Sequence, residues 1–118
     1  MFRELLTEIV SGAEGSIGAV LMGADGLTVE QVVADPSGGD VEAMAMELSV
    51  VLREVRKAAQ QIEAGAPEEL MIRGASLTTL VRVLSDDYFV ALALGPTASV
   101  GKARFLLRRA APRLRENL

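Results

Sequence analysis

The chain has no cysteine and no histidine. Disulfides, thiolate nucleophiles, the usual zinc sites and histidine acid–base catalysis are therefore excluded. Its only lysines are Lys57 and Lys102, so lysine chemistry has little to draw on. Aromatic side chains are confined to Phe2, Tyr88, Phe89 and Phe105, too few for a base-stacking nucleic-acid platform. No apolar run approaches the roughly 20 residues of a membrane-spanning helix. The opening MFRELLTEIVSGAEG mixes acidic with apolar residues, unlike a signal peptide, so cytoplasmic residence is expected.

A chain of 118 residues, half of them hydrophobic, suits one domain with one sizeable core, here residues 1–118. The net charge of −4 is uneven. Residues 97–118 carry Lys102, Arg104, Arg108, Arg109, Arg113 and Arg115 against Glu116, a local +5, leaving −9 for the remainder. Three readings of that basic end stay open: a solvated face, a contact with an acidic partner surface, or one with an anionic membrane. Nucleic acid fits least, because the overall charge is negative and aromatic interleaving is missing.

GPTASVGKARF, residues 95–105, has the look of a phosphate loop. Five residues separate Gly95 from Gly101, where a P-loop has four, and Ala103 stands where a metal-binding Ser or Thr is needed. The rest of the chain has room for one helix, not for a nucleotide-binding sheet. Gly101 is instead expected to permit close approach of helix and sheet, offsetting a cost of about 1 kcal/mol relative to alanine.

Phe2, Leu5, Leu6, Ile9 and Val10 recur at helical spacing and predict a helix over 2–11, closed by Gly12 and Gly15. Two apolar runs, 17–22 and 27–34, flank Asp25-Gly26 and predict a hairpin. After DPSGGD, Asp40 is placed to cap a long helix over 41–64, about 36 Å in length. Gly65 and Pro67 stop it. Strands are expected over 69–75, 77–85 and 88–94, the last apolar on both faces as in a central strand. A final helix starts near Ser99 and is expected to end or kink at Pro112. The result is an α+β sandwich: a five-stranded antiparallel sheet, the long helix on one face, the two terminal helices on the other.

Two features of the long helix and its surroundings stand out. Its Leu/Val stripe buries one face against the sheet, yet Met46 and Val50 lie round the cylinder from Leu48 and Leu52. An apolar arc that wide points to a second partner. The acidic pairs Glu68-Glu69 and Asp86-Asp87 sit at a strand start and a turn and read as edge-protecting and turn residues, not as catalytic carboxylates.

The opening helix leading into GAVLMGADGLTVE, the long helix before EELMIRGA, and the ending DDYFVALAL with its later VGKARFLLRRA resemble the roadblock/LC7 family, including its bacterial MglB-like members. Gly101, Ala103 and Arg104 match the family's Gly-x-Ala-Arg helix start. The resemblance implies a profilin-like fold and a non-catalytic homodimeric module that binds and regulates a small Ras-like GTPase. It implies no cofactor, no metal and no catalytic residue. It further implies a dimer surface formed by the long helix and the next strand, here Met44, Leu48, Val51, Leu52, Val55, Leu70, Met71, Ile72 and Arg73. Arg53, Arg56, Lys57, Arg104 and Arg108 are the candidate partner contacts, with a structural ion pair as the competing reading for Arg104. Such members need not insert an arginine into the GTPase; they reshape its own site. Two other readings stay open. One is a scaffold subunit without a GTPase partner. The other is a ligand-sensing domain with space around Gly18, Gly74, Ala91 and Ala93.

Overall fold

The computed structural model describes all residues from Met1 to Leu118. Helix α1 (Phe2–Gly12) is followed by strands β1 (Ser16–Gly23) and β2 (Thr28–Val33), a 3-10 turn at Pro36–Gly38 and helix α2 (Val41–Gln61). Strands β3 (Glu69–Arg73), β4 (Thr78–Val83) and β5 (Tyr88–Leu94) then lead to helix α3 (Val100–Arg115). All five strands form one antiparallel sheet in the order β2-β1-β5-β4-β3, as expected.

Local chemistry sets the boundaries. Asp25 accepts from the Leu27 N–H and Gly26 takes a φ of 85°, closing the first hairpin. The Asp40 carboxylate accepts from Ala43 N at 3.0 Å, and Ser99 Oγ from Lys102 N at 3.3 Å, capping α2 and α3. Met1 donates its amine to Glu4 instead, which holds that exposed carboxyl below its ordinary pKa.

The alternation of each strand divides the core in two. Ala19, Leu21, Leu80, Val90, Leu92 and Leu94 face α1 and α3. Val20, Met22, Val81, Phe89, Ala91 and Ala93 face α2 through Val41, Ala45, Leu48 and Leu52. Strand β5, in the middle, is buried on both faces.

Three expectations need correction. Helix α2 ends at Gln61, three residues before Ala64, because Glu63 enters the left-handed region (φ 58°) ahead of Gly65. Pro112 does not end α3, which runs on to Arg115; fully buried Leu114 anchors that last turn. Gly101 is exposed, and a Cβ added there would meet nothing within 4 Å, so it serves no close approach. The close approach is made elsewhere, at Gly18, whose added Cβ would lie 2.8 Å from Val32 O and 3.1 Å from Val41 Cγ1.

Candidate functional site

Strand β3 forms one border of the sheet, so the hydrogen-bonding groups on its outer side have no partner strand. Its pairing with β4 assigns its faces. Leu70 opposes Val81 and Ile72 opposes Thr79, placing both on the α2 side. Met71 opposes Leu80 and points to the α1/α3 side. The strand thus offers apolar groups on both faces, with Ile72 46 % and Met71 39 % exposed, and Arg73 exposed at its end.

On the α2 side of the sheet, the helix flank turned away from β2 is apolar as well. The helix packs chiefly over β1, with β2 and β5 under its sides. Met44, Val51 and Val55 recur at seven- and four-residue steps and are only half-buried, so they form a single stripe along the helix. Met44 and Leu70 both pack at the margin of the α2-side core. The hydroxyl of Thr79, opposite Ile72, is buried without a hydrogen-bond partner. Backbone edge, apolar strand faces and half-buried helix stripe together make a surface suited to another chain.

Not every expected interface residue belongs to it. Leu48 and Leu52 are 4 % and 2 % exposed and are spent inside the core, the ordinary fate of a sheet-facing stripe. Met46 and Val50, the basis for the wide apolar arc, are indeed exposed.

The candidate contact residues scatter. Arg104 is held by Glu69 at 2.6 Å, the structural ion pair that competes with a partner contact, and this ties α3 to the first residue of β3. Arg56 donates to Ser85 O at 3.2 Å and lies 3.6 Å from the Asp86 carboxylate. Lys57 pairs with Glu54 on its own helix. Arg108 projects from α3, across the sheet from α2. Arg53 is exposed and lines a shallow cleft with Asp25, Asp87 and Tyr88 at the hairpin end of the sheet. These five side chains do not converge on one point.

The ligand space considered beneath α2 is filled. Gly18 is pressed between β2 and Val41, Ala91 and Ala93 are buried core residues, and Gly74 is exposed in the β3–β4 turn. Sequence reasoning missed Arg3, which bonds the β2 edge from α1 and gives no signal in any motif.

A three-layer sandwich of this order, with one bare sheet edge, is the profilin-like architecture. The family model for the Roadblock/LC7 domain matches residues 2–93, and the chain belongs to that family. Among solved structures it is similar to MglC from Myxococcus xanthus, with 33 % identity, TM-score 0.72, and 99 % of this chain and 98 % of that one covered. The gliding protein MglB of Thermus thermophilus shares 19 % identity over 97 % of this chain and 85 % of its own, with TM-score 0.87. Profilin IA of Acanthamoeba castellanii shares the fold at 14 % identity and TM-score 0.61, covering 99 % of this chain and 98 % of its own. No curated protein sequence matches the chain. No helix is long and apolar enough to cross a membrane.

Proposed function

We propose that this chain is a cytoplasmic, homodimeric, non-catalytic platform that binds a small Ras-like GTPase and regulates its cycle. The observation that carries the reading is the bare β3 edge, with Ile72 and Met71 exposed, together with the apolar flank of α2. Two copies pairing β3 to β3 satisfy each other's backbone groups and cover both apolar flanks at once, an isologous contact. Family membership supports the same reading. Within it, Met44, Val51, Val55, Leu70, Met71, Ile72 and Arg73 form the self-contact. Arg53, exposed on α2 and in no ion pair, is left to meet a partner, with Lys57 near it in an exposed pair with Glu54.

The chain's own geometry favours one second reading, a scaffold subunit without a GTPase. Arg56 and Arg104 are engaged internally and Arg108 lies across the sheet from α2, so the candidate contact residues do not gather on one face. The two readings separate in one assay. A small Ras-like GTPase from the same genome is loaded with GTP, and hydrolysis and nucleotide exchange are followed as this protein is added. A saturable change in either rate, reduced by Arg53→Ala, supports the regulatory platform. Unchanged rates with every such GTPase of that genome leave the scaffold.

A further inference from the structure

Three arginines from distant parts of the chain line one cleft at an end of the sheet. Arg56 of α2, Arg82 of β4 and Arg115 in the last turn of α3 line a cleft of about 220 Å³. Its walls are the loop before β3, through Glu68, and the β4–β5 turn, through Asp86.

Their positive charge is poorly answered. Arg115 donates its Nε to Leu84 O at 2.7 Å and has no carboxylate partner. Arg56 donates to Ser85 O at 3.2 Å, and its one carboxylate partner is Asp86, at 3.6 Å and itself exposed. Arg82 is in no ion pair, and its Nε is buried with nothing to donate to. The carboxylate opposite it in the sheet register is Glu69, and Arg104 has taken that one at 2.6 Å. Glu68 lines the cleft without pairing to any of the three.

A buried donor without an acceptor is normally answered by water or an ion. Guanidinium donors arriving from three elements suit an acceptor with oxygens on several sides, which a tetrahedral oxyanion has and a planar carboxylate lacks. The cleft falls below the roughly 300 Å³ at which pockets for drug-sized molecules begin. We propose that it binds a single phosphate group, free or at the tip of a larger molecule.

The test follows the Arg82 side-chain Nε–H resonance of the intact, nitrogen-15-labelled protein, assigned with Arg82→Lys. Inorganic phosphate is titrated at constant ionic strength, with chloride as the control anion. A saturable shift at Arg82 and Arg115 that chloride does not produce is the expected result. Arg115→Gln then weakens binding by about tenfold or more, as loss of a charged hydrogen bond implies. Arg109→Gln, outside the cleft, leaves it unchanged. Should the phosphate response be absent, vesicles of phosphatidylglycerol are compared with vesicles of phosphatidylcholine. A response confined to the former assigns the site to a lipid headgroup. No saturable response of Arg82 to phosphate or to either vesicle overturns the proposal, as does an equal loss of binding in Arg109→Gln. The wild-type titration stands by itself if Arg115→Gln does not fold.

Discussion

The sheet has two borders, and they are finished differently. Strand β2 is crossed by α1, whose Arg3 donates to Gln31 O at 3.2 Å and pairs with Glu30 at 3.4 Å. An irregularity between Leu21 and Met22 breaks its register with β1. Strand β3 has no helix lying along it; only Arg104 of α3 reaches across to Glu69. Exposed apolar residues do not distinguish the two, since Val29 and Val33 are exposed on β2 as Ile72 and Met71 are on β3. The difference is access to backbone. A charged side chain bonded to a β2 carbonyl and a bulge blunt one edge against pairing, and the other is left regular and open. That contrast, more than hydrophobicity, is what the proposed assembly through β3 rests on.

The largest expected effect comes from a charge placed on each edge in turn. Ile72→Asp puts a carboxylate into the proposed self-contact and should raise the dimer dissociation constant at least about thirtyfold. Val33→Asp, at a similarly exposed position on β2, should leave it unchanged. Sedimentation equilibrium of both variants decides; equal effects would erase the comparison.

Next in size is the one tether that β3 does have. Arg104→Met removes a partly buried charged hydrogen bond and should lower stability by about 1–2 kcal/mol in urea unfolding. Hydrogen exchange should accelerate in β3 and not in β2. Faster exchange in both strands would show that the ion pair holds the whole sheet, contrary to this account.

A smaller effect is expected at the guarded edge. Arg3→Ala deletes an exposed ion pair, so its stability cost should stay below about 1 kcal/mol. Its effect on association should be visible: species larger than a dimer are expected in sedimentation velocity as the protein is concentrated. Their absence would mean that the bulge alone protects β2.

The smallest change is a control. Gly101→Ala occupies open space on α3 and should gain up to about 1 kcal/mol in melting experiments, with no change in mass.

Much of this fold was legible in the sequence because each element carries its own periodicity and punctuation. Asp25-Gly26, Asp40 and Ser99 act where turn and cap chemistry put them. Local signals failed where a distant contact overrules them. Pro112 reads as a stop or a kink, and the burial of Leu114 carries α3 past it, so it is not a stop. Gly101 reads as a packing glycine, but its side of the helix faces water. The α2 stripe shows which residues are apolar, not which are left over, so Leu48 and Leu52 could not be told from Val51 and Val55. The expectation of a self-contact at β3 came from family resemblance, not from periodicity. The arginine cleft and the Arg3 guard gave no sign, since their members are far apart in sequence and meet only in the folded chain.

Whether β3 is an assembly edge is decided by the solution mass of the unmodified protein. Light scattering across the micromolar range is predicted to return twice 12.5 kDa, holding on dilution. A mass of 12.5 kDa throughout would contradict the account, because β3 would then stand open in a stable monomer.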